Sequence, residues 1–219
     1  MQKRTMIFGS YDTAEHGWTL GQWKLSAPEQ KTNYVERTGG DGSWDLSTAH
    51  SNGIPRYEDR TLTVPLECSK GTREEREELI NAMVNELDGL EQQIVLPDRP
   101  DHYLAGRLHV AVVYSDLAHA KVTVSGTVEP WLYSARESVV ELTADSITHE
   151  ARIYNKGRRA VVPLLTVTGD VALSVGSATT RLTEGSYKWP ALLLMPGLNI
   201  VKYSGFGTVT LTYREAVLR

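Results

Sequence analysis

The sequence predicts a mainly β protein, with an N-terminal sheet or sandwich that carries one α-helix and an all-β remainder that reads as a second sandwich. Three observations carry this. Apolar and polar residues alternate in several short runs, as half-buried strands require. Only one stretch has clear helical spacing. Gly and Pro punctuate the last third closely enough to suggest many short strands joined by turns.

The elements follow in chain order. The start, Met1-Gln2-Lys3-Arg4-Thr5-Met6-Ile7-Phe8, has two basic residues but no apolar stretch or small-residue cleavage site, so no leader peptide is expected. Residues 9–60 are rich in Gly, Pro and Thr and hold more loop than a compact domain normally tolerates. Either the segment contains short strands without a clear signature, or assembly orders it between neighbouring copies; the sequence leaves both open. Within it, Gly39-Gly-Asp-Gly42 reads as a tight turn using positive φ.

Leu62, Val64 and Leu66 then alternate with polar neighbours, and Pro65 places that strand at an edge or near its end. A helix over 72–88 follows. Thr72 and Glu75 form a capping box, Leu79, Ile80, Met83, Val84 and Leu87 make one apolar stripe, and Gly89 is the natural stop. Pro97-Asp-Arg-Pro-Asp101 reads as a reversal. Strands near 107–114 and 118–130 come next; in the second, Val122, Val124 and Val128 oppose Lys121, Thr123, Ser125 and Thr127. The domain boundary is expected at 134/135, giving an N-terminal domain 1–134 and a C-terminal domain 135–219.

In the second domain, apolar segments recur at 139–142, 160–168, 171–175, 191–195, 199–203 and 208–213. Gly157, Gly169, Gly176, Gly185, Gly205 and Gly207 are among the residues expected to separate them. No internal repeat or low-complexity tract is present.

Composition narrows the function. The chain has 219 residues, 41 % apolar and 23 % charged, as in an ordinary globular protein. No apolar run reaches the roughly eighteen residues of a membrane helix, so no membrane anchor is expected, and synthesis is expected in the cytoplasm. The net charge of −4 argues against a dedicated nucleic-acid binder but suits a wall that DNA passes without sticking. Cys68 is the only cysteine, which rules out an intrachain disulfide and reads as a buried apolar residue.

The six histidines show no metal-ligand spacing, and neither a P-loop nor a nucleophile elbow is present. Asp41 and Asp45 resemble half a calcium loop, but the rest of that loop is missing. The expectation is therefore no catalysis, no metal and no cofactor. Trp18, Trp23, Trp44, Trp131 and Trp189 leave a carbohydrate-binding sandwich as the alternative, since tryptophans form sugar platforms as well as core and interface anchors. A small β-rich hydrolase would need converging carboxylates or a Ser–His pair, to which nothing in the sequence points.

One stretch says more. Gly17-Trp-Thr-Leu20 leads into Ser26-Ala-Pro-Glu-Gln-Lys-Thr-Asn-Tyr-Val35, then Thr38-Gly-Gly-Asp-Gly-Ser-Trp-Asp-Leu46, then Pro55-Arg-Tyr-Glu-Asp-Arg60 and a strand. This resembles the N-terminal signature of the phage distal tail protein family, the siphovirus-type tail components. The likeness spans about fifty residues and keeps several spacings together.

The resemblance implies an N-terminal ring-forming domain and a C-terminal galectin-like β-sandwich. It also implies a hexameric ring at the tail tip, joining the tail-tube protein to baseplate or receptor-binding proteins around the DNA channel, so that the protein would reside in the virion. Lys31, Asp41, Asp45, Arg56, Glu58, Asp59 and Arg60 are then the candidates for contacts that fix loops or neighbouring protomers. The alternative for them is local pairing within one chain.

Overall fold

The computed structural model describes residues 5–219 except 52 and 117, and the chain divides into two compact units, Met1–Pro130 and Trp131–Arg219. The leader expectation rests partly on residues 1–4, which lie outside the described residues. The described chain is mainly β with one helix, which is too short to cross a membrane.

The first unit opens with four two-residue strands, β1 (Ile7–Phe8), β2 (Tyr11–Asp12), β3 (Thr19–Leu20) and β4 (Lys24–Leu25). A three-residue pair follows, β5 (Tyr34–Glu36) and β6 (Ser43–Asp45). The long strands are β7 (Arg60–Cys68), β8 (Glu91–Leu96), β9 (Arg99–Ser115) and β10 (Ala120–Val128), with helix α1 (Arg73–Leu87) between β7 and β8. They form an antiparallel sheet in the order β2-β1-β8-β9-β10-β7-β3, with β4 also on β7 and β5–β6 standing apart.

Alternation sets the buried face. Leu62, Val64, Leu66 and Cys68 of β7 are buried, and Val64 and Leu66 pair with Val124 and Val122 of β10. Burying each such side chain contributes about 1.5–3 kcal/mol. Helix α1 packs against β9, with Ile80, Met83 and Leu87 buried on its inner stripe.

The helix ends as its sequence requires. The Glu75 amide donates to the Thr72 hydroxyl at 3.2 Å, and the Thr72 amide donates to the Glu75 carboxylate at 2.7 Å. Gly89, just past the cap residue Asp88, has φ +71°. The stripe has one member that periodicity of apolar residues does not reveal, the fully buried Arg76. Its guanidinium donates to the carbonyls of Gly71 at 2.7 Å and Asp116 at 2.9 Å, tying the helix start to the β9–β10 turn.

One expectation holds only locally and a second needs correction. Pro65 lies inside β7, opposite Thr123, and only its other side is an edge of the ladder. Its carbonyl accepts from the Gly21 amide at 2.9 Å, and in an extended strand a residue's nitrogen faces the same side as its carbonyl. On that side β3 has ended at Leu20 and β4 starts only at Lys24, so the missing N–H falls opposite a gap. The reversal at 97–101 is also shorter than expected. Leu96 pairs with Arg99, leaving only Pro97 and Asp98 in the turn, while Pro100 and Asp101 belong to β9. Antiparallel strands need only two residues to connect them.

The second unit contains β11 (Leu132–Ser134), β12 (Ser138–Ala144), β13 (His149–Asn155), β14 (Leu164–Val175), β15 (Ala178–Leu182), β16 (Gly185–Lys188), β17 (Gly197–Tyr213) and β18 (Ala216–Val217). Strand β11 pairs with β18 and lies ahead of the expected 134/135 boundary, in the second unit. Strands β14 and β17 run side by side over most of their length. One half of β17 pairs with β13 and the other with β12, while β14 pairs with β16 and then β15.

Here too the sequence reading needs correction. Gly169, Gly205 and Gly207 do not separate strands but lie inside β14 and β17, at φ +87°, +122° and +151°. A Cβ on any of them would run into a backbone carbonyl across the pair, from Phe206, Asp170 and Thr168 respectively. These positive-φ residues bend both strands at one place, as happens where a strand turns a corner between packed layers. Leu165, Val167, Val209 and Leu211 from one side of the bend meet Val171, Leu173 and Val201 from the other in a single apolar cluster. The result is a sheet folded over into a sandwich-like unit. Segment 191–195 contributes only the isolated bridge Val161↔Leu194, although Leu192 and Leu194 are buried.

Candidate functional site

Most of the first unit's short strands lie on its sheet, but β5 and β6 do not. Residues 29–46 are exposed without exception, and among the described strands β5 and β6 pair only with one another. They form a hairpin arm.

Its base is closed by backbone bonds. Lys31 N–H donates to the Arg56 carbonyl and Glu58 N–H to the Glu29 carbonyl, each at 2.8 Å, around a Gln30↔Tyr57 bridge. The Lys31 ammonium adds a 3.3 Å ion pair with Glu58, about half exposed on both sides and therefore worth about 0–1 kcal/mol. Arg60 is buried just beyond, its Nε donating to the Ser26 carbonyl at 2.7 Å. Burial lowers the pKa of that guanidinium from its ordinary value.

Along the arm, Tyr34, Val35 and Glu36 pair with Asp45, Trp44 and Ser43, and the Leu46 amide donates to Asn33 at 2.8 Å. The tip turns at Gly39 and Gly42, with φ +75° and +73°. Asp45 accepts from the Ser47 amide at 2.9 Å, and hydrogen bonds from Ser47 hold its carboxyl below the usual carboxylate pKa. Strand alternation puts Val35, Arg37, Trp44 and Leu46 on one face and Tyr34, Glu36, Ser43 and Asp45 on the other. The Arg37 guanidinium lies 5.6 Å from the Trp44 ring centroid, within cation–π range.

Of the residues singled out from sequence, Lys31, Arg56, Glu58 and Arg60 are brought together at the base of the arm. Asp41 stands at its tip, Asp45 lies on β6, and Asp59 is exposed beside the base. The two aspartates do not join a larger acidic group. Among the described residues, no group of three or more His, Cys, Asp or Glu could hold a metal ion.

Sequence reasoning did not single out Arg37 and treated Trp44 only as one of five tryptophans. Trp44 is the exposed one, at 54 %; Trp18 is buried and donates its indole N–H to the Tyr11 hydroxyl at 2.8 Å. Tyr11 is itself buried, which pushes its phenol up to about 12 against the lowering effect of the Trp18 hydrogen bond.

No protein-family model matches the chain, and no curated protein matches it. Among solved structures it is similar to the Dit protein (gp 19.1) of SPP1, described as a paradigm of the hub adsorption apparatus in phages infecting Gram-positive bacteria. The TM-score is 0.68 at 15 % identity, covering 96 % of this chain and 98 % of that one. At that identity the likeness establishes a shared fold.

Proposed function

We propose that this chain is a structural subunit of the distal end of a phage-type tail, a ring-forming distal tail protein and not an enzyme. The observation that carries the reading is the fold likeness to SPP1 Dit along nearly the whole of both chains. The signature spread over residues 17–60 points the same way from sequence alone.

In this reading the first unit closes with its copies into a hexameric ring around the DNA channel. The tail-tube protein binds one side of that ring. The second, galectin-like unit faces baseplate or receptor-binding proteins. The protein is made in the host cytoplasm and resides in the virion at the tail tip, with no cofactor.

Two physical features support a ring. An isolated two-stranded hairpin is at best marginally stable in water, so an arm with an apolar face is expected to find support outside its own chain. The charge is also divided unevenly. Residues 1–130 hold 13 Lys and Arg against 20 Asp and Glu, a net −7, whereas residues 131–219 hold 10 against 7, a net +3. A ring of acidic first units would let DNA pass without binding it.

Light scattering at several concentrations, with negative-stain images of the same sample, tests the proposal. A six-fold ring with a central opening is expected. A strict monomer that gives reproducible hits on a glycan array would replace the reading with the carbohydrate-binding one.

A further inference from the structure

The first unit also carries a surface that complements the arm. Between the 15–17 loop and α1 lies an open groove of about 590 Å³. Cys68, Leu79 and Ala82 line it with Glu15, Glu78 and the cap residue Glu75, whose carboxylate accepts from the Thr72 amide, against the basic residues Lys70 and His16. Glu74, in the first turn of α1 beside Glu75 and one turn before Glu78, adds to the negative charge nearby.

The apolar face of the arm has the opposite character. It presents Val35, Trp44 and Leu46, its single charge is Arg37, and it bears no carboxylate. An aromatic anchor joined to a guanidinium matches a concave apolar surface bordered by carboxylates in both shape and sign.

We propose that this groove receives the arm of a second copy of the chain, with Trp44 seated against Leu79 and Ala82 and Arg37 facing Glu78 and Glu15. The inference rests on the ring reading and specifies its interface. Arm and groove are different surfaces on one unit, so the contact is heterologous and propagates from copy to copy until rotation closes it.

The competing landing place is the exposed cluster Val112, Val113 and Tyr114 near the end of β9. Its nearby carboxylate, Asp116, already accepts from the amides of Ala118 and His119 at 2.8 and 2.6 Å. That leaves it poorly placed to receive Arg37.

The test is a charge exchange in the full-length protein, read as the concentration at which assemblies form by light scattering. Arg37→Glu and Glu78→Arg should each raise that concentration about tenfold or more, and the double variant should recover most of the loss, as coupled charges do. Melting curves should show all three variants folded, because both positions are exposed. Assemblies of wild type that Arg37→Glu leaves unchanged, or single effects that merely add in the double variant, would overturn this inference and leave the ring reading standing. So would a photo-crosslinker at position 44 that captures residues 112–114. A wild-type chain that forms no assembly would overturn both.

Discussion

In the second unit, Gly169, Gly205 and Gly207 fold two long strands so that Leu165, Val167, Val201 and Val209 meet inside; in the arm, Gly39 and Gly42 turn a hairpin whose apolar face, with Val35, Trp44 and Leu46, stays exposed. Both regions are antiparallel strands with positive-φ glycines at the bend. They differ in what lies across from the glycine. At the fold of β14 and β17 a backbone carbonyl occupies the space a Cβ would need, whereas at Gly39 and Gly42 no other group lies within 4 Å. One bend holds a unit together from within, and the other only presents a surface.

That difference sets the scale of what substitution should do. Gly207→Ala should be the most damaging change, costing on the order of 3 kcal/mol or more, since the new Cβ meets the Thr168 backbone and the residue must also keep a positive φ. Gly39→Ala should cost only about 1 kcal/mol, the price of a left-handed alanine in open space. Urea unfolding of the two variants side by side measures this, and equal losses would break the contrast.

The two arginines sharpen it further. Arg76→Ala should cost about 3 kcal/mol, because it opens a cavity and strips the Gly71 and Asp116 carbonyls of their donor. Hydrogen exchange should quicken at the β9–β10 turn. Arg37→Ala on the arm should stay within about 0.5 kcal/mol of wild type by the same urea assay.

Between these extremes, Thr72→Ala removes one half of the capping box and should lower stability by about 1 kcal/mol in urea. Trp44→Ala should leave stability within about 0.5 kcal/mol yet weaken assembly, separating the arm's role from that of the core.

The smallest expected effect is a pH dependence. The Val110 amide, and after it the His109 ring, hold Asp88 below its ordinary 3.8, and the amides of His119 and Ala118 do the same for Asp116. Carboxylates with lowered folded-state pKa values stabilise fully above 3.8 and lose that contribution as the pH falls through the lowered values. Urea midpoints should therefore drop only below about pH 4, and Asp116→Asn should flatten part of the drop.

Much of the fold was legible because single residues report it. Thr72 and Glu75 announced the helix start, and the alternating valines of β10 announced its buried face. The glycines misled because positive φ looks the same in sequence whether it ends a strand or bends one; only the partner backbone distinguishes them. Strands β13 and β15 escaped because their outward faces, such as Glu150 and Arg152 or Thr179 and Arg181, dilute the apolar signal. The buried Arg76 was invisible for the opposite reason, a charged residue in a position that apolar periodicity ignores. At the arm, Gly39-Gly-Asp-Gly42 disclosed the turn, but the strands on either side are too short and too exposed to show a period.

The most direct test of the central claim is the solution mass of the intact chain over a concentration series, imaged by negative stain at the highest concentration. The account predicts a six-fold ring with an open centre. A chain that remains a monomer throughout would contradict it.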